Sequence, residues 1–97
     1  MPGIKLLKRR FEDYQTYWAY TLLCENRDHI QSCLSDIGVS SSQIHVRNDR
    51  YSMFKHSSRS LPNTDWFDSR ELAIPCGWWV DSISLSRIIE TIKLASL

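Results

Sequence analysis

No stretch of the sequence comes near the roughly 20 consecutive apolar residues that a bilayer span needs. The opening Met1-Pro2-Gly3-Ile4-Lys5 also lacks the apolar core of a signal peptide. Together these absences make the cytoplasm the expected location and a membrane an unexpected partner. Neither sign of charge dominates: the formal net charge is +1, which gives no general pull toward nucleic acid. The only cysteines are Cys24, Cys33 and Cys76, an odd number with no short paired spacing. That excludes a disulfide framework. A closed zinc site would need a fourth ligand and Cys-x-x-Cys-like pairs, so no metal is expected and the three cysteines read as buried free thiols. There is no Gly-x-Gly-x-x-Gly, Gly-Lys-Ser/Thr or His-Glu-x-x-His pattern, no internal repeat and no low-complexity tail.

What is present is enough for one domain spanning residues 1–97, with an apolar content of 42% that suits a small globular core. Residues 1–16 alternate poorly and read as extended or coil, with a basic cluster at Lys5, Lys8, Arg9 and Arg10. Residues 17–24 are aromatic and nearly continuous in apolar character, which predicts a central strand covered on both faces. Asn26 can cap a helix over 26–37, in which Ile30, Cys33, Leu34 and Ile37 form one stripe and Gly38 supplies the stop. Gln43-Ile44-His45-Val46 alternates and predicts a second strand, followed by a polar turn over 47–50, an apolar group at 51–54 that suits one helical turn, and a loop over 56–60. Asn63 is the expected cap of a short helix over 64–70 that buries Trp66 and Phe67. Leu72-Ala73-Ile74 predicts a third, buried strand that Pro75 ends, because proline has no N–H for a ladder. Gly77 then allows a sharp turn, and Asp81 caps a last helix over 82–95 carrying Leu85, Ile88, Ile89 and Ile92. The sum is an α+β sandwich: a small three-stranded sheet with two to three helices packed on one face.

Chemistry is harder to find. His29 falls on the first turn of a helix facing water, His56 falls in a loop, and His45 sits beside Arg47. None of Lys5, Lys8, Lys55 and Lys93 lies in the apolar run that would desolvate a Schiff-base lysine. No complete catalytic set is present in the sequence. The dense polar candidate is the stretch 45–50, His45-Val46-Arg47-Asn48-Asp49-Arg50. Its two arginines can clamp a phosphate or carboxylate bidentately, or Asp49 can neutralise them in a local ion-pair network. Trp78 and Trp79 are adjacent; on an extended segment they point opposite ways, so at least one is expected at a surface that a partner covers.

Several motifs in order carry a resemblance: Tyr17-Trp18-Ala19-Tyr20-Thr21-Leu22, Glu25-Asn26-Arg27-Asp28, Ile37-Gly38-Val39, His45-Val46-Arg47-Asn48-Asp49, Leu61-Pro62-Asn63-Thr64-Asp65, Ile74-Pro75-Cys76-Gly77-Trp78-Trp79 and Ile88-Ile89-Glu90-Thr91-Ile92. Over nearly its whole length the chain resembles the small C-terminal domain of the DegT-type sugar aminotransferases, in particular the perosamine-synthase-like subgroup. These are fold-type I enzymes of polysaccharide biosynthesis that use pyridoxal phosphate to aminate keto sugars on nucleotide carriers. The resemblance implies that the Schiff-base lysine and the cofactor belong to a large domain outside these residues, so that no cofactor is bound here and the chain alone is catalytically incomplete. It implies a substrate-facing role for His45, Arg47, Asn48 and Asp49, and an interaction surface at Trp78 and Trp79. The implied partner is the large pyridoxal-phosphate domain, in the same or another chain, with a second copy of this chain as a further candidate. The rival reading is a free-standing module that binds an anionic ligand or a protein.

Overall fold

The computed structural model describes residues 1–8, 10, 16–57 and 59–97. Three strands make one antiparallel sheet in chain order: β1 (Ile4–Leu6), β2 (Tyr20–Cys24) and β3 (Glu71–Ile74). Ile4 pairs with Cys24 and Leu6 with Leu22 across one seam, Leu22 with Leu72 and Leu23 with Glu71 across the other. Because side chains alternate along a strand, this register puts Ile4, Leu22, Cys24 and Leu72 on one face and Lys5, Leu23, Glu71 and Ala73 on the other.

Helices α1 (Arg27–Asp36) and α3 (Ser82–Ala95) cover the first face. Ile30 and Leu34 of α1 meet Leu22, Cys24 and Leu72 of the sheet and Ile88, Ile92 and Ala95 of α3 in one core. Asn26 stands at the N-cap of α1, but its side chain makes no capping bond. Gly38, with φ +79°, provides the left-handed residue that ends it. Asp81 does cap α3, accepting the Ser84 N–H at 2.7 Å, and this bond holds its carboxyl below the usual carboxylate range. The expected stripe of α3 divides: Ile88 and Ile92 are buried, whereas Leu85 and Ile89 stay largely open.

The α+β class and the central place of β2 agree with the expectation, but the make-up of the sheet differs. The expected strand at 43–46 does not form. Only Ser42 bridges to Ala73, exchanging two backbone hydrogen bonds at 2.8 and 3.2 Å. Farther along, the His45 N–H donates to the Glu71 carboxylate at 3.3 Å and not to a strand backbone. The third strand is β1, inside the stretch read as extended or coil; Arg9 of the basic cluster and residues 11–15 lie outside the described residues. The irregular segment after Ser42 lies over the second face of the sheet, so helices are not the only cover.

Residues 48–50 and 52–57 form 3-10 turns, where a polar turn and one helical turn were expected, and Ser58 of the expected loop lies outside the described residues. Helix α2 (Pro62–Asp68) starts on Pro62 with Leu61 rather than Asn63 at its cap. It buries no residue: Trp66 is exposed and Phe67 half-buried. The Trp66 ring stays at the surface because cations flank it, the Arg70 guanidinium at 4.6 Å and the Lys5 ammonium at 5.9 Å from its centroid. Only Cys24 is a fully buried thiol; Cys33 and Cys76 are half-buried. Among the described residues no helix is long and apolar enough to cross a membrane.

Leu72 lies at the crossing of β3 with both helices and is wholly buried. Leu72→Ala is expected to cost about 2–5 kcal/mol, a large part of the margin of a small domain. Urea unfolding followed by circular dichroism checks this.

Candidate functional site

The stretch 45–50 is built by ion pairs rather than by strand pairing. Asp49 lies two residues after Arg47 on the 3-10 turn, which brings its carboxylate back onto the guanidinium. Arg47 Nε donates to Asp49 Oδ1 at 2.6 Å and Nη2 to Oδ2 at 2.8 Å, a bidentate fork. Arg47 Nη1 donates to Asp65 of α2. All three guanidinium nitrogens are therefore occupied. The hydrogen bonds to Asp49 and Asp65 raise the already high pKa of Arg47, and the same fork holds the Asp49 carboxyl below its usual range.

A second set runs parallel to the first. Arg50 Nη2 donates to Asp68 Oδ2 at 3.2 Å, and Gln43 Nε2 donates to Asp68 Oδ1 at 2.8 Å. Asp65 and Asp68 are three residues apart, so one face of α2 presents both carboxylates to the turn. That spacing was visible in the sequence as a mate for the two arginines, and it is the signal that a reading confined to 45–50 misses.

The structure thus separates the expected site residues. Arg47 and Asp49 are partly buried and committed to each other. His45 and Asn48 are exposed, and the His45 ring meets Trp18 edge-on at 6.4 Å. Arg50, also exposed, pairs with Asp68 and, among the described residues, keeps its other donors free for an anion. The arrangement can hold a rigid polar rim; it offers no nucleophile paired with a base. The Cys24 thiol is buried and pushed up by desolvation, which makes it unreactive.

Trp78 and Trp79 sit elsewhere, after β3. The Val80 N–H donates to the Gly77 carbonyl at 3.1 Å, closing a four-residue turn with the two tryptophans at its corners. The sharp turn expected at Gly77 is formed, and both rings, where at least one was expected at a surface, point outward: Trp78 is 93% and Trp79 63% exposed. The Trp79 ring folds back over Gly77 so closely that a Cβ there would stand 2.4 Å from it, which explains glycine at that position. The Trp78 ring meets it edge-on at 6.0 Å.

Beside this turn, an open apolar groove of about 570 Å³ runs between the sheet and α3, lined among others by Leu6, Tyr20, Ile74, Val80, Leu85 and Ile89. Lys5, Lys8, Lys55 and Lys93 are all exposed to solvent.

Acidification tests the ion-pair frame. Asp49 is depressed in the folded chain, so its contribution is complete above the unfolded carboxylate pKa of about 3.9 and is lost as pH falls through the lower folded value. The thermal midpoint is expected to fall on going from pH 7 to pH 3, and to fall less steeply in Asp49→Asn, which is already weaker at pH 7. Thermal melts across that range check both.

No protein-family model and no curated protein sequence matches the chain. Solved structures do. Sugar aminotransferase CalS13 from Micromonospora echinospora aligns with a TM-score of 0.90 at 30% identity, over 97% of this chain and 26% of its own. AtS13 from Actinomadura melliaura aligns at 0.86 and 26% identity, over 96% and 25% of the two chains. A DegT DnrJ EryC1 StrS aminotransferase from Brucella abortus has the same fold at 0.81 and 23% identity, over 94% and 26%. The chain therefore spans about a quarter of the length of the proteins it matches. The expected resemblance holds on independent grounds: in fold and in sequence, this chain is similar across nearly all its residues to a quarter-length portion of DegT/DnrJ/EryC1/StrS-type sugar aminotransferases.

Proposed function

We propose that these residues work as the small domain of a sugar aminotransferase, incomplete as a catalyst until the remaining three quarters of the enzyme is supplied in the same or a separate chain. The observation that carries this reading is the match to CalS13 over 97% of the chain but only 26% of that enzyme. The exposed lysines agree with it, because a transaminase needs a desolvated lysine and the chain has none. So does the apolar groove with two tryptophans beside it, a surface more open than a domain of this size leaves bare when it works alone.

In this reading the larger body covers Trp78, Trp79 and the groove, and packs there by apolar burial. The turn at 45–50 faces the sugar-nucleotide pocket. Arg47 and Asp49 are the frame of that wall, fixed to α2 through Asp65. His45, Asn48 and Arg50 are the exposed members that meet substrate, with Arg50 the donor for an anionic group.

Two measurements test the proposal. The purified chain incubated with pyridoxal phosphate and borohydride is expected to give no site-specific reduced imine. A chimaera in which this chain replaces the matching quarter of CalS13 is expected to bind the cofactor and transaminate, and Trp78→Ser with Trp79→Ser is expected to reduce its activity at least tenfold. A specific imine formed by the chain alone, or a folded chimaera indifferent to both tryptophans, overturns the reading.

A further inference from the structure

We propose that His29 and Cys33 on α1 form a two-ligand chelate for a zinc-class divalent cation, independent of the turn at 45–50 and of the tryptophan surface. The two residues are four apart on a helix, so they lie on the same face one turn from each other. His29 is exposed and Cys33 half-buried, at the border between the core and water. Cys33 Sγ stands 3.7 Å from His29 Nε2. A tetrahedral zinc ion takes a thiolate at about 2.3 Å and an imidazole nitrogen at about 2.0–2.1 Å, which sets those two atoms roughly 3.6 Å apart. The helix therefore holds the pair at the bite that such an ion requires. Among the described residues neither atom has another hydrogen-bond partner to give up.

The surrounding charge favours a cation. Cys33 lies in the last turn of α1, where the unpaired carbonyls carry partial negative charge, and that turn contains no basic residue. Asp36 follows in the same row of the helix one turn on. No third side chain is in ligating position among the described residues, so water completes the coordination shell. Imidazole with thiolate selects zinc-like ions over calcium and magnesium, which prefer oxygen. On binding, the Cys33 thiol releases its proton to solvent and the sulfur donates a lone pair to the metal, while the His29 imidazole binds in its neutral form.

The test is titration of the fully reduced chain with cobalt(II), whose coordination by a thiolate gives a near-ultraviolet charge-transfer band. A saturable band is expected, displaced by zinc. It is expected to disappear in Cys33→Ser and in His29→Gln, and to persist in Cys76→Ser. A second measurement needs no variant: in two-dimensional NMR, zinc is expected to shift the His29 ring signals and leave those of His45 in place. Absence of the band at saturating cobalt, its survival in Cys33→Ser or His29→Gln, or unmoved His29 signals overturns the proposal.

Discussion

Strand β2 is hydrogen-bonded on both edges, and the other elements are placed by that double pairing. Its alternate side chains, Leu22 and Cys24, enter the core on one face, while Leu23 is buried on the other. Antiparallel pairing on each side sets β1 and β3 in register, and register sets which of their residues face the helices. A one-residue slip of β3 would send Leu72 out of the core and bring Glu71 into it. Leu72 and Glu71 are both fully buried, but on opposite faces. The sheet tolerates Glu71 only where the His45 N–H reaches it; its second oxygen finds no partner among the described residues.

The polar rim depends on the same placement. Helix α2 precedes β3 directly, so the pairing of β3 carries Asp65 and Asp68 to the side where Arg47 and Arg50 arrive. Exposed ion pairs contribute little singly. Here they connect the turn at 45–50 to helix α2, neither of which contributes a buried residue, and their value is in fixing geometry. The guanidinium of Arg47, bonded through all three nitrogens, is a structural member of the rim, and the exposed side chains around it are free for recognition.

Legibility in the sequence followed how local each determinant was. The span and cap of α3 were readable because Asp81 and the apolar spacing lie within the helix itself. The run at Leu72-Ala73-Ile74 was readable because it is continuously apolar and bounded by proline. The segment 43–46 misled because alternation reports a half-buried backbone and says nothing about where its N–H groups go; a side chain 26 residues away took the His45 donor. Strand β1 was missed for the opposite reason. Its three residues carry too little pattern, and it exists because β2 offers a free edge. In the candidate site, the neutralised pair at Arg47 was legible, because Asp49 lies two residues away and takes two of its nitrogens; the third goes to Asp65, which no local window contains. The turn at Gly77 and an exposed tryptophan were readable, while the exposure of the second ring follows from the closed Gly77–Val80 turn.

The seat of Trp79 on Gly77 has a consequence for any encounter at that surface. An exposed indole ordinarily samples several rotamers, and a binding partner must immobilise it at an entropic penalty. A ring that rests against its own backbone gives up part of that freedom during folding. Contact through Trp79 can therefore form with little further ordering, and a methyl group added at residue 77 would restore the motion without touching the indole's chemistry.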